Sequence, residues 1–265
     1  MVATILVLLA LIPVGAASLI TGDFSQMVYK PTRKTVHLFL KHRTVVIALS
    51  VGLWLVGLVV HLAGDGTSVL LLIVTGVLVL LFTLLGYGMS PYVMFPSLRR
   101  PQWISAEEAS RLIADDDGVI GVEINGDARA YPVDWSFRPH LIHGTVGGES
   151  VVMSYCLLSN LGVTFKAEMD GTPMNCIMPI QWENNMVMYD TAGDRLIQQV
   201  DGRVLHGEGV GEPLETYPTL IMPWKAWRRL YPDTKVLHNP PSGVWAVSYT
   251  HLRAHETAMN ISYAV

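Results

Sequence analysis

The sequence predicts N-terminal transmembrane helices followed by a mainly β (α+β) soluble domain, with a barrel as one way for its strands to close. Three observations carry this. Two long stretches, Thr44–Gly64 and Thr67–Ser97, contain no Lys, Arg, Asp or Glu. Each holds a run of about twenty mostly apolar residues, the length a helix needs to cross a bilayer core of roughly 30 Å. From Arg99 to about Ala246 the chain is polar, with short apolar runs set between Gly-, Asn- and Asp-containing turns, the pattern of closely spaced strands. The charge also divides there: residues 1–98 carry a net of +3, residues 99–246 a net of −7.

In chain order, Met1–Ile20 is a third apolar segment, interrupted by Pro13 and lacking the basic start of a secretory signal; it reads as a first membrane helix. Residues 1–98 thus form a membrane region with helices near 1–20, 44–64 and 67–90. A loop, Asp23–Arg43, is expected to hold all the basic residues of this region: Lys30, Arg33, Lys34, Lys41 and Arg43. Such an excess stays on the cytoplasmic side. With Arg99 and Arg100 after the third helix, this places the soluble domain in the cytoplasm; an extracytoplasmic position is the alternative. The short Gly64-Asp65-Gly66 turn makes a tight hairpin of the second and third helices, and His61 beside it reads as interfacial.

The soluble part, residues 99–246, opens with Ser105-Ala106-Glu107-Glu108, a capping box whose serine hydroxyl accepts from a free helix N–H. Asp115-Asp116-Asp117-Gly118 ends that short helix; without alternating ligand spacing it reads as a turn rather than a calcium loop. Val119–Ile124 and Ala128–Val133 flank Asn125-Gly126, the strongest short hairpin signal. Further strands are expected at Ser150–Leu157, Val163–Met169, Pro173–Ile180, Asn185–Tyr189, Leu196–Val200 and Lys235–His238, with a helix at Trp224–Leu230. No phosphate-binding Gly-rich loop or Gly-x-Ser-x-Gly elbow occurs. The acidic balance argues against nucleic acid, whose binding draws on neutralised phosphates, and leaves the lipid bilayer as the expected partner. The two cysteines, Cys156 and Cys176, form neither a disulfide framework nor a four-ligand zinc site.

The last stretch, Val247–Val265, reads VSYTHLRAHETAMNISYAV and resembles a translated sequencing-library adapter. On that resemblance it is an artefactual tail, and His251 and His255 carry no weight as ligands.

VIGVEINGDARAYP (Val119–Pro132), GTVGGESVVMSYC (Gly144–Cys156), NNMVMYD (Asn184–Asp190) and the Trp224–Leu237 stretch ending PDTKVL resemble the DUF3179 family, bacterial and archaeal domains of unknown function. The resemblance spans about residues 105–238. It implies a shared fold and no established reaction. In the family pattern a histidine precedes the Thr-Val-Gly-Gly turn and a Cys-x-x-Cys pair follows it. His140 and Cys156 match these positions; Ser159 replaces the second cysteine, and a tryptophan expected near Ile197 is absent. A dithiol cycle or two-thiolate site is therefore ruled out. A one-thiol metal site of Cys156 with His140 or His143, and with Met153 as a further ligand, would suit copper or zinc. Packing is the competing role of each: Cys156 as a small hydrophobe on a strand, and the methionines as core. Asp190 fits a turn better than a catalytic role. Three functional classes follow: a membrane-tethered binding or accessory module, a metal- or thiol-dependent site at Cys156 and His140, and a degenerate scaffolding homologue. No reaction is legible in these residues.

Overall fold

The computed structural model describes residues 1–21, 31–88, 91–182 and 185–242. The chain divides into two compact units, one made of residues 1–96 and 174–213, the other of residues 97–173 and 214–265. Residues 174–213 thus cluster with the N-terminal helices although they lie far along the chain. The tail expectation, Val247–Val265, lies outside the described residues.

The first unit holds three segments long and apolar enough to cross a membrane: Val2–Ile20, Arg33–Asp65 and Val69–Gly86. The first is built from α1 (Val2–Leu9) and α2 (Leu11–Thr21). α3 (Arg33–Val60) runs on through a wider, π-type turn, His61–Asp65, and α4 (Val69–Thr83) returns. The expected basic loop is shorter than the sequence suggests, because α3 begins at Arg33 rather than near Thr44. Thr32 caps it, its hydroxyl accepting from the Thr35 N–H at 3.2 Å, and no Gly or Pro interrupts Arg33–Arg43; helix therefore propagates through the cationic turns. Pro13 takes no N–H to the helix, and the next one, of Val14, donates to Ser50 Oγ of α3 at 3.1 Å. At the opposite end the Asp65 carboxylate accepts from the N–H groups of Val2 and Ala3 at 3.3 and 3.1 Å, supplying the side-chain cap that Met1 does not.

The same unit contains an antiparallel four-stranded sheet, ordered β12 (Val204–His206), β11 (Arg195–Gln198), β10 (Asn185–Asp190) and β9 (Cys176–Trp182). Alternation puts Val187, Tyr189 and Leu196 on one face. There they bury Val36 of α3 together with Ile180 and Leu205, and Leu40 packs at the margin. The first turns of α3 are thus a sheet-packing helix rather than a loop.

The second unit carries a five-stranded sheet ordered β1 (Trp103–Ser105), β15 (Lys235–Leu237), β3 (Asp127–Pro132), β2 (Gly118–Ile124) and β14 (Thr219–Pro223). Only β15–β3 is parallel. A four-stranded antiparallel sheet follows the order β13 (Thr216–Tyr217), β6 (Leu161–Lys166), β5 (Glu149–Cys156) and β4 (Leu141–Val146). The short ribbon β7 (Glu168–Met169) and β8 (Thr172–Pro173) completes it. These are open sheets; none closes into a barrel. The β2–β3 hairpin turns at Asn125 and Gly126, with φ of 52° and 82°, the pair of positive values a type I′ turn demands. The capping box forms as expected: Ser105 Oγ accepts from the Glu108 N–H at 3.2 Å and starts α5 (Ala106–Ala109). α6 (Trp224–Leu230) buries Trp224 and Trp227 against Ala109, Val119 and Ala130. A Cβ on Gly121 would lie 2.2 Å from the Trp227 ring, so that ring packs where only a hydrogen fits.

Candidate functional site

Two groups of side chains carry chemistry. The first lies inside the unit of residues 1–96 and 174–213, where the cationic start of α3 meets the β10–β11 turn. Asp194, at φ 52°, presents its carboxylate to three donors. Tyr189 Oη donates at 2.7 Å, His37 Nε2 lies at 2.8 Å, and Lys41 Nζ forms an ion pair. The His37 ring also sits 4.7 Å from that of His206 and edge-on to Tyr189 at 6.0 Å. Burial opposes ionisation of Asp194, but the hydrogen bonds from Lys41 and Tyr189, with His37, outweigh it and hold the carboxyl down at about 2. Burial, then the Asp194 hydrogen bond and charge, raise the Tyr189 phenol well above its ordinary value. Burial, then His37 and Lys34, lower His206, with Asp194 acting against them. The result is a carboxylate bonded to both a helix and a sheet. Sequence reasoning missed it because 157 positions separate His37 from Asp194 and no spacing links them.

The second group is the predicted pair. His140 immediately precedes β4 and is 4% exposed. Its backbone carbonyl accepts from the Tyr155 N–H at 2.9 Å, so the register carries His140 opposite Tyr155. The preceding loop is held by Asn239 Nδ2, which donates to the carbonyls of Trp135 and Arg138 at 2.8 and 2.9 Å, and the Phe137 ring lies edge-on at 5.7 Å. Burial pushes the imidazole down to about 4, against a hydrogen bond to the Tyr155 backbone; at neutral pH it is uncharged. Cys156 ends β5 opposite Leu161 of β6 and is a buried free thiol. It follows Tyr155 by one residue, so strand alternation carries its side chain to the other face from the one Tyr155 shares with Ile142 and Met153. His143 pairs with Val152 on β4. Among the described residues, no group of three His, Cys, Asp or Glu side chains has metal-binding geometry. Met153, Met178, Met186 and Met188 are buried core. Asp190 is occupied by the N–H groups of Asn175, Ala192 and Gly193 at 2.9–3.1 Å, a turn-closing role.

The model of DUF3179, a protein family of unknown function, matches residues 93–252, more than half of the chain. The chain belongs to the DUF3179 family. No curated protein and no solved structure matches it. The matched DUF3179 region begins just before the second unit and takes in residues 174–213 of the first, so both groups of side chains fall within it apart from the α3 contributions, His37 and Lys41.

Proposed function

We propose that this DUF3179 member is a membrane-anchored binding or accessory module whose sheets lie at the cytoplasmic face. The observation that carries the reading is the Asp194 junction: α3 continues without a break from an uncharged span into three turns bonded to β10 and β11. A sheet joined this way is held at a fixed height above the bilayer, as a docking platform needs. Arg33, Lys34, Lys41 and Arg43 all lie at the sheet end of α3, and Asp65 at the other, the bias that keeps the sheet end cytoplasmic. Carbonate extraction should leave the full chain in the membrane pellet. Protease added to intact cells should spare residues 185–242 and cut them only after permeabilisation; cleavage in intact cells reverses the orientation.

A metal- or thiol-dependent site at Cys156 and His140 is the alternative, carried by the match of both residues to the family pattern; register sets His140 opposite Tyr155 and Cys156 on the other face, so it requires the His140 ring to turn across the strand end. Stoichiometric copper or zinc on the purified full chain, lost in Cys156→Ala, would support it. A chain that binds neither metal and has an unreactive thiol would end it.

A further inference from the structure

The first turn of α3 carries two cations that no carboxylate among the described residues neutralises. The helix starts at Arg33 behind the Thr32 cap, and its first turn holds no Asp or Glu. The positive end of the helix dipole therefore coincides with Arg33 and Lys34, the unfavourable arrangement of charge. Both side chains are exposed, and neither forms an ion pair among the described residues. His37 follows them by four and three positions and so shares their face of the helix. That face meets β12: the His37 and His206 rings are 4.7 Å apart, and Val36 is buried together with Leu205. The carboxylate at this junction, Asp194, is already engaged, Oδ1 by Tyr189 and His37 and Oδ2 by Lys41. Glu208 and Glu212, on the loop after β12, are exposed and pair with neither cation. Half-buried His206 is thus left beside an excess of positive charge, and burial, then His37 and Lys34, hold it below its ordinary value.

Two cations on one helix face and an imidazole on the strand packed against it suit a compact anion with several acceptor oxygens and more than one charge. We propose that Arg33, Lys34 and His206 bind the phosphate group of a soluble ligand, the first two supplying charge and His206 a ring N–H. A phospholipid headgroup is the other source of the same chemistry. Only the choice between the two rests on the membrane-anchored reading. On that reading the uncharged span begins at Thr44, and Lys34 stands about 15 Å further along the helix. The headgroup layer is roughly 5–8 Å deep on each side, so the site lies above it.

The test follows the His206 ring by NMR in the full chain, labelled with 15N-histidine in zwitterionic detergent and assigned with His206→Gln. The pH titration is run in sodium phosphate and in sodium chloride of equal ionic strength. A bound phosphate favours the protonated ring, so the midpoint should lie about one unit higher in phosphate than in chloride, a roughly tenfold preference for the imidazolium form. Lys34→Gln should raise the midpoint in chloride, because a repelling charge is gone, and should abolish the phosphate increment. A Lys34 that merely supports the helix would do neither. Equal midpoints in the two salts, or an undiminished increment in Lys34→Gln, overturns the inference. Bicelles of phosphatidylglycerol form the lipid arm: a rise there with none in free phosphate overturns the soluble source. Carbonate extraction run alongside separates the two failures. A chain released from the membrane ends the anchoring reading and leaves a phosphate increment standing, whereas an embedded chain without the increment ends only the site.

Discussion

His140 is neutral because its surroundings exclude the charge, and that has a measurable cost in acid. Its folded value, about 4, lies below the ordinary 6.5, so the unfolded chain binds the proton first. The contribution is therefore complete above about pH 6.5 and is lost as pH falls towards 4, up to about 3 kcal/mol. Thermal melts of the full chain in detergent should show Tm falling steeply over that window. His140→Gln should flatten that part of the slope, and a slope that survives the substitution would mean other groups carry it. His206, also lowered, adds to the acid limb in the same direction. At Gly121 the constraint is steric. Ala there drives a methyl into the fully buried Trp227 ring, and overpacking of this kind costs about 1–3 kcal/mol. A Gly121→Ala chain whose Tm matches the parent would show that α6 can shift at no cost.

The element that organises the first unit is α3. Its junction with the sheet is a shared carboxylate, so its donors are unequal in weight. Lys41 is half exposed, and exposed pairs contribute about 0.2–1 kcal/mol; Lys41→Met should barely alter amide exchange in β10 and β11. Asp194→Asn strips charge from an acceptor that also serves Tyr189 and His37. It should speed exchange of those strands by about tenfold, some 1.4 kcal/mol, and equal effects of the two substitutions would refute the shared-acceptor account. Elements written in local rules were legible in the sequence: the Asn125-Gly126 hairpin, the Ser105 cap, and α6 after Pro223. β4 and β14 were not. β4 has no clean alternation, with Leu141 and Ile142 both buried and His143 and Gly144 both partly exposed. β14 follows Pro218 and ends on Pro223, with Leu220 and Ile221 exposed, and only its pairing with β2 makes it a strand. The predicted site was half legible for a similar reason: sequence could mark His140 and Cys156, but which face each occupies is set by register.

For the whole molecule, the decisive fact is that the first unit is assembled from two separated pieces of chain. The α3-facing side of its sheet buries Ile180, Val187, Leu196 and Leu205 around Val36. A fragment of residues 97–242 loses that cover and exposes a contiguous apolar face, which invites association. It should bind a hydrophobic dye and elute as aggregate unless detergent is present, whereas the full chain in detergent runs as a discrete species; a monodisperse, dye-silent fragment would show that the sheet does not need α3. The discontinuity also sets a timetable. On the membrane-anchored reading proposed above, α3 would enter the bilayer while its partner strands have not yet been made, because residues 97–173 must be translated first. At ordinary elongation rates that interval is on the order of ten seconds. Throughout it Val36, His37 and Lys41 are without the sheet that buries or bonds them. On the same reading, insertion would precede assembly of the sheet, and any factor that shields the start of α3 has that interval in which to act.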